Sequence, residues 1–260
     1  RPTPPPPPPP TAPPQGPPDT VPPAVTSPPY GTPVPNRTIT VPLPELPLPV
    51  PEGWSEQVIG TTRLGRPLQL LVHHPAEEIR ARILVVSCIH GNELCTVPIA
   101  QRLTAVPVPP GVLVAILPAL NPDGWAAQDR FNGAHVDLNR NFPWRWAAYD
   151  GGPAPASEPE TQAVMGLVEA NAWDLAVWIH QPLGYVAAVP PTDPVYAEAW
   201  RHAAGLPGRE NLDQHGGGET WTTKGAGRPS ILVEVDSHDA TVEMVEAHAA
   251  GFAAVLALFS

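Results

Sequence analysis

Proline sets the strongest constraint on how this chain folds. The first 51 residues hold 23 of its 41 prolines, in runs such as PTPPPPPPP and VPLPELPLPVP. Proline fixes φ and lacks a backbone donor, so the segment favours extended polyproline II over helix or sheet. We therefore predict a proline-rich disordered or polyproline tail over residues 1–51. Residues 52–260 are long enough for one folded α/β domain.

A polyproline tail of this length is a stiff spacer. At about 3.1 Å per residue it reaches roughly 150 Å, enough to hold a domain away from an attachment point in a cell envelope. The alternative is a ligand for proline-recognising modules. The sequence begins with Arg1 rather than Met, which is compatible with an export signal or anchor removed upstream. We expect a bacterial protein that is secreted or associated with the cell envelope.

Charge and hydropathy exclude several classes of partner. The net charge is −11, and all of it falls on the folded part because the four charges of the tail cancel. Nucleic-acid binding needs clustered Lys and Arg, and the sequence contains no basic run, so we predict no nucleic-acid partner. The apolar stretch GFAAVLALF is too short for a spanning helix, which needs about 18–20 residues. We predict no membrane span, and we expect a monomer.

Four apolar, β-branched runs are interspersed with helical patterns in the folded part. This arrangement predicts an α/β fold with a mixed, largely parallel twisted sheet and helices on both faces. Ligands of such sheets bind at the carboxyl ends of the strands. The predicted strands are 81–89, 111–120, 173–179 and 230–235, and the predicted helices are about 93–105, 158–170, 194–204 and 240–258.

Polar residues stand where these predicted strands end. His90, Asn121 and His180 follow the first three, and Glu234 ends the fourth. A catalytic zinc ion takes three protein ligands from imidazole nitrogens and carboxylate oxygens. His90 and Glu93 in the segment HGNE, where Gly91 permits a turn, form such a set with His180. Taken alone, H-x-x-E is a common chance pattern, and a histidine at a strand end is more often structural.

Further motifs follow HGNE in a fixed order. They are NPDG (121–124), DRFNGAHVDLNRNFP (129–143), SEPET (157–161) and ILVEV (231–235). Together they resemble the zinc carboxypeptidase family of the carboxypeptidase A type over essentially the whole folded domain. SEPET and the compact length look closest to its bacterial branch, the murein peptide amidases. The resemblance implies one Zn²⁺ per chain, bound by His90, Glu93 and His180.

The same resemblance implies roles for four more residues. Glu234 falls on the family's general base, and Arg130 on the arginine that stabilises the charge of the tetrahedral intermediate. Asn139 and Arg140 match the pair that holds the free carboxylate of the substrate, for which a planar guanidinium is well suited. The alternative for Arg130 is a surface ion pair with Asp129 or another neighbour.

The implied activity is hydrolysis of a peptide or amide bond next to a residue with a free carboxylate, with peptidoglycan stem peptides as the expected substrate. Two alternatives remain at this point. One is a general peptide carboxypeptidase, and the other is a catalytically inactive binding protein tethered in the envelope. All three ligands and the general base are present in the sequence, which favours an active enzyme.

The sequence departs from the family pattern at some positions near the site and leaves alternatives at others. The loop before Glu234 offers Trp221 as its aromatic residue, and we place no mobile tyrosine there. Gln181 and a proline follow the third ligand, which alters any contact made there by a small hydroxyl residue in relatives. Cys88 and Cys95 flank HGNE and are either bridged or two buried thiols. The sequence DSHD after the fourth strand imitates a second metal site, which we do not predict.

Overall fold

The computed structural model describes residues 37–210 and 213–260, and residues 1–36 of the predicted tail lie outside them. One seven-stranded sheet organises the domain. Its strands are β1 (Trp54–Thr61), β2 (Pro67–His73), β3 (Ala81–Val86), β4 (Val112–Leu117), β5 (Leu175–His180), β6 (Tyr185–Ala188) and β7 (Ser230–Glu234), in the spatial order β1-β2-β4-β3-β5-β7-β6.

The four central strands of the sheet are parallel, and each outer strand pairs antiparallel with its neighbour. β4, β3, β5 and β7 form the parallel part, whereas β1, β2 and β6 pair antiparallel with their neighbours. The predicted mixed, largely parallel sheet is confirmed. Its four predicted strands correspond to β3, β4, β5 and β7, each trimmed by a few residues or shifted by one at an end.

Six helices accompany the sheet in the described residues: α1 (Thr96–Leu103), α2 (Pro122–Ala127), α3 (Pro159–Glu169), α4 (Val195–Ala204), α5 (Gly218–Thr220) and α6 (Val242–Leu256). α5 continues as one π-helical turn, Trp221–Gly225, and a 3₁₀ turn covers Leu138–Arg140. The four helices predicted from the sequence correspond to α1, α3, α4 and α6.

Helices cover both faces of the sheet because neighbouring residues of a strand point to opposite sides. Ile83 and Val85 of β3 belong to one hydrophobic cluster, which α1, α4 and α6 cover. Leu84 and Val86 belong to a second cluster, which α3 and Trp221 cover. Parallel strands buried on both sides explain why these segments are continuously apolar in the sequence.

Residues 37–51, the described part of the predicted tail, contact the domain. Leu48 is buried, and its N–H and C=O pair with the side-chain amide of Gln69 at 2.8 and 2.7 Å. Trp125 Nε1 donates a hydrogen bond to the carbonyl oxygen of Pro44 at 3.2 Å. The division of the chain after residue 51 stays a prediction, but this stretch is packed against the folded part.

One helical segment of the described chain is long and apolar enough to cross a membrane by length and composition alone. It is Val242–Phe259, with 18 residues and a mean hydropathy of 1.5. The sequence analysis expected no span because it considered the shorter run GFAAVLALF. The segment comprises α6 and the turn after it, and 39% of it is buried in the domain. Phe252 and Val255 pack into the first core cluster, so this helix forms part of the hydrophobic core of the domain.

Candidate metal centre and active site

Neighbouring parallel strands bring three of the predicted site residues together. His180 is the last residue of β5 and Glu234 the last of β7, and the two lie opposite each other in register. His90 follows β3, the other neighbour of β5. By strand alternation, His180 and Glu234 project to the same face as Trp178 and Leu232 of the second cluster. The carboxyl edge of the sheet thus gathers these side chains, as predicted.

His90, Glu93 and His180 form a buried cluster in which one ligand atom from each residue lies within 4.8 Å of the others. Glu93 Oε1 is 2.6 Å from His90 Nδ1, and Glu93 Oε2 is 3.5 Å from His180 Nδ1. Within residues 37–210 and 213–260, Glu93 Oε2 and His180 Nε2 are enclosed without a hydrogen-bond partner. Buried polar atoms are normally paired. Two imidazoles and a carboxylate, with two atoms that lack a hydrogen-bond partner, fit a zinc ion.

Gly91 is needed because two backbone segments approach each other closely. A Cβ on Gly91 would lie 1.8 Å from the carbonyl carbon of Gly124. The sequence analysis assigned Gly91 to a turn, but its φ lies outside the left-handed region. The turn itself closes through the bond from Glu93 N–H to His90 C=O at 3.2 Å. Thr96 Oγ1 then donates to the carbonyl oxygen of Glu93 at 2.6 Å, at the start of α1.

Asp137 connects His90 to Arg130, and the sequence analysis assigned it no role. Its Oδ1 lies 3.0 Å from His90 Nε2, and its Oδ2 lies 2.9 Å from Arg130 Nη2. Burial disfavours its charge, but His90 and Arg130 outweigh burial and hold the pKa of Asp137 far below its usual range. A carboxylate on the far nitrogen of a ligand histidine fixes the orientation of the ring. The signal was the aspartate of DLNR, two residues before Asn139.

Arg130 lies beside the cluster, next to the carboxylate oxygen of Asp137 that does not face His90. Its Nη1 lies 3.4 Å from His90 Nδ1, and its side chain is 15% exposed. Arg130 therefore forms an ion pair, as the alternative from the sequence expected, and the partner is the buried Asp137. The pair holds the guanidinium beside His90, where it can interact with negative charge that develops on a substrate.

Asn139 and Arg140 lie in the 3₁₀ turn that follows Asp137. Asn139 N–H donates to Asp137 Oδ1 at 2.9 Å, and Asn139 Oδ1 accepts a hydrogen bond from Gly218 N–H at 2.8 Å. Arg140 Nη1 donates to the carbonyl oxygen of Asn139 at 2.7 Å. With its amide oxygen turned toward Arg140, Gln214 accepts from Nη1 and Nη2 at 2.5 and 2.8 Å. This turn and the loop before α5 are therefore joined.

Burial and neighbouring charges shift the pKa of the Glu234 carboxyl group. Burial raises its pKa and the charge of Glu93 adds to this effect, whereas His180 opposes it. Leu183 N–H donates to Glu234 Oε2 at 3.3 Å, which orients the carboxyl group. A carboxyl group with a raised pKa is suited to accept and return a proton near neutral pH.

The two charged partners in the cluster stabilise each other. Burial opposes the charge of Glu93, but His90 and His180 outweigh burial and lower the pKa of Glu93 to about 2. Burial likewise opposes protonation of His180, but Glu93 outweighs it and raises the pKa of His180 to about 9. The pocket thus combines an ionised carboxylate with imidazoles, and a bound cation competes with the proton for the same atoms.

Gln181 fills a structural role that the sequence analysis did not identify. Its Oε1 accepts a hydrogen bond from Cys95 N–H at 3.1 Å, and its Nε2 donates to the carbonyl oxygens of Ser237 and Asp239. The residue after the third ligand therefore ties the start of α1 to the loop after β7. Cys88 and Cys95 are both buried and free, which is the unbridged of the two alternatives.

Comparison with known proteins agrees with the fold. Residues 112–196 match the zinc carboxypeptidase family model. The chain is 28% identical to murein peptide amidase A of Vibrio campbellii over 223 residues, which are 76% of this chain and 85% of that protein. Among solved structures it is similar to murein-tripeptide amidase MpaA from Escherichia coli O157, with a TM-score of 0.60, 24% identity and coverage of 81% and 93% of the two chains.

Carboxypeptidase A of Helicoverpa armigera has a similar fold, with a TM-score of 0.64 and 17% identity over 78% of this chain and 69% of that one. At this level of identity the likeness concerns the fold. Part of the chain thus matches the zinc carboxypeptidase model, and the chain is similar in sequence and fold to bacterial murein peptide amidases, which indicates that it is a hydrolase.

Proposed function

We propose that this protein is a zinc-dependent metallopeptidase that hydrolyses the peptide or amide bond next to a residue with a free carboxylate. The observation that carries the proposal is the buried His90, Glu93 and His180 cluster, in which Glu93 Oε2 and His180 Nε2 have no hydrogen-bond partner among the described residues. Glu234 ends the neighbouring strand in register with His180. A ligand set beside a general base is the arrangement that hydrolysis by a zinc enzyme requires.

The chain's own residues divide the work of the reaction. When bound, zinc supplies Lewis-acid polarisation of the carbonyl group and lowers the pKa of water. Glu234 accepts the proton of the attacking water and returns it to the leaving amine. Asp137 keeps His90 in its orientation and holds the guanidinium of Arg130 beside it, so that Arg130 can stabilise the developing oxyanion.

Asn139 and Arg140 bind the free carboxylate of the substrate, and the reaction requires that carboxylate for this reason. Arg140 is a planar donor that can bind a carboxylate in a bidentate manner. Its guanidinium is held by the carbonyl oxygen of Asn139 and faces Gln214. In the bound state, the carboxylate of the substrate replaces a neutral acceptor of Arg140, such as the side-chain amide of Gln214. The scissile bond then lies toward Glu234.

Peptidoglycan stem peptides are the substrate that we propose. The support is the name of the relatives, since proteins called murein peptide amidase A and murein-tripeptide amidase share sequence and fold with this chain over most of their length. We further propose that the protein acts as a monomer, secreted or held at the cell envelope by its proline-rich N-terminal segment. Light scattering of the purified protein and fractionation of the producing cells test these two points.

The test is hydrolysis of a defined stem peptide beside a series of ordinary peptides with free C-termini. Mass spectra locate the cleaved bond, and elemental analysis of the same sample gives the metal content. We expect one zinc per chain and cleavage of the stem peptide next to a residue with a free carboxylate. Trimming of the ordinary peptides alone favours a general carboxypeptidase. One zinc without any cleavage favours an inactive binding protein.

A further inference from the structure

Glu158 is a buried carboxylate that the proposed reaction does not use. It is 1% exposed and stands at the N-cap position of α3, but its side chain does not cap the helix. The carboxylate instead accepts hydrogen bonds from Arg63 Nη2 at 2.9 Å, from Asn132 Nδ2 at 2.8 Å and from Ser157 Oγ at 2.9 Å. Burial disfavours its charge, but these donors outweigh burial and lower the pKa of Glu158. An ionised carboxylate in such a network fixes the position of its donors.

Asn132 connects this carboxylate to the turn beside Arg130. Asn132 N–H donates to the carbonyl oxygen of Val136 at 3.0 Å, and Asn132 Oδ1 accepts from Val136 N–H at 3.0 Å, so the turn is closed by its own hydrogen bonds. Arg130 precedes this turn and Asp137 follows it, and the ion pair between them joins its two ends. The bond from Asn132 to Glu158 therefore anchors the turn and, with it, the guanidinium proposed to bind the oxyanion.

Asn141 connects Glu158 to the second arginine of the site, Arg140. Asn141 directly follows Arg140 and is fully buried. Its Oδ1 accepts a hydrogen bond from Glu158 N–H at 3.2 Å, and its Nδ2 donates to Ser157 Oγ at 2.9 Å. Ser157 Oγ in turn donates to the carboxylate of Glu158. The 3₁₀ turn that contains Arg140 is thus held against the same residue as the turn beside Arg130.

We propose that Glu158 is a positioning residue, which sets the spacing between the guanidinium groups of Arg130 and Arg140. This inference rests on the proposed function, in which one guanidinium binds the oxyanion at the scissile bond and the other binds the free carboxylate of the terminal residue. Both groups of the substrate must reach their arginines at the same time. An error of about 1 Å in such an alignment can cost about 100-fold in rate. Glu158 acts on the two arginines through Asn132 and Asn141.

The spacing of the two arginines determines which terminal residue fits. In an α-amino acid, one carbon atom separates the scissile nitrogen from the carboxylate group. In a β-amino acid, two carbon atoms separate them. Arginines at a fixed distance therefore favour the α-amino acid, whereas turns that can shift against each other tolerate both. A variant that loosens the turns should lose this discrimination.

The test compares a stem peptide with an analogue whose terminal residue is the corresponding β-amino acid, with the same side chain and free carboxylate. We expect kcat/KM of the wild type to favour the α-peptide by about 100-fold. Glu158→Met keeps the length of the side chain without its oxygen atoms, and it should reduce this ratio to about 10-fold or less through loss of the α-peptide. A general loss of folded enzyme lowers both rates alike and leaves the ratio unaltered.

Two further variants accompany this comparison. Glu158→Gln keeps an oxygen atom that can accept from Arg63 and Asn132, and it should retain most of the preference. Glu169→Met, at the exposed end of α3, is the matched control and should leave the ratio unaltered. Ser157→Ala removes only the hydroxyl group between Asn141 and Glu158, and it should lower the ratio less than Glu158→Met does. If Glu158→Met does not fold, an unaltered ratio in Ser157→Ala overturns the inference.

Binding separates this inference from the proposed function. The dissociation constants of both peptides are measured by calorimetry on zinc-loaded protein that carries Glu234→Gln, with and without Glu158→Met. A preference for the α-peptide that disappears with Glu158→Met supports the inference even if neither peptide is cleaved. Cleavage with the same ratio in the wild type and Glu158→Met overturns the inference and leaves the peptidase activity standing. Failure of the wild type to cleave or bind either peptide overturns the proposed function and the inference with it. Zinc content and thermal unfolding of each variant confirm that it is folded and loaded.

Discussion

Asp137 Oδ1 lies 3.0 Å from Nε2 of His90, on the side of the imidazole ring opposite the Nδ1 atom that faces Glu93. This carboxylate therefore determines which nitrogen of His90 is presented to the metal centre. We expect Asp137→Asn to weaken zinc binding by about 10- to 100-fold, the usual effect of removing such a partner. Competition with a chelator of known affinity measures the change. Glu246→Gln, on the surface of α6, is the matched control and should leave zinc affinity unaltered.

Substitution by alanine should have opposite effects on stability at Gly91 and at Gly166. Gly91→Ala places a methyl group 1.8 Å from the Gly124 backbone, so the turn that carries Glu93 must move. We expect a large loss of bound zinc and a lower melting temperature. Gly166 lies in α3 with open space around its Cβ position, and Gly166→Ala should stabilise the fold by about 0.5–1 kcal/mol. Equal melting temperatures of the two variants would contradict this description.

Two truncations test whether the segment before β1 belongs to the folded unit. Removal of residues 1–36 should leave the melting temperature unaltered, because their proline-rich sequence favours an extended chain that forms no core. Removal of residues 1–50 exposes the site of Leu48 and removes the two hydrogen bonds that the side-chain amide of Gln69 makes with Leu48. The expected loss is about 2–4 kcal/mol from the apolar side chain and the amide together. Denaturant unfolding measures it, and equal stability of both truncations would show that the segment is dispensable.

His248 makes the domain sensitive to acid. It is buried and accepts a hydrogen bond from Trp200 Nε1 at 3.1 Å, and burial lowers its pKa from 6.5 to about 4. Between these two values the unfolded chain binds a proton that the folded chain excludes, so stability falls as the pH decreases. The loss reaches about 3 kcal/mol near pH 4 and is absent above pH 6.5.

A His248→Asn variant isolates this contribution, because its Oδ1 can still accept the bond from Trp200 and it does not titrate. We expect the free energy of unfolding of this variant to fall less steeply between pH 6.5 and 4 than that of the wild type. His202→Asn, at the exposed end of α4, is the control and should leave the slope as it is. Parallel pH profiles of wild type and His248→Asn would contradict the assignment.

The parallel part of the fold was predictable from sequence, and its edges were not. β3, β4, β5 and β7 are buried on both faces and read as continuous apolar runs. β1 is largely exposed, and β6 has four residues, so neither produces a distinct pattern. The glycines at 216–218 resemble a loop in sequence, yet they lead directly into α5. Their close packing against Arg140 and Trp178 leaves no space for a side chain at Gly216 and Gly218.

The site shows the same division. His90, His180 and Glu234 were predicted because each follows or ends a parallel strand, and His90 and Glu234 also lie in motifs. The contacts of Asp137 and Gln181 join residues 47 and 86 positions apart in the chain, and local patterns carry no information about such pairs.

The most direct test of the account is a Glu234→Gln variant, assayed for zinc and for hydrolysis of the stem peptide in the same sample. Gln keeps the shape of the side chain but cannot accept the proton of the attacking water. The account predicts one zinc per chain, as in the wild type, and a loss of kcat of at least about 100-fold, the contribution expected of a general base. Full zinc content with wild-type turnover would contradict the role of Glu234 and with it the proposed mechanism.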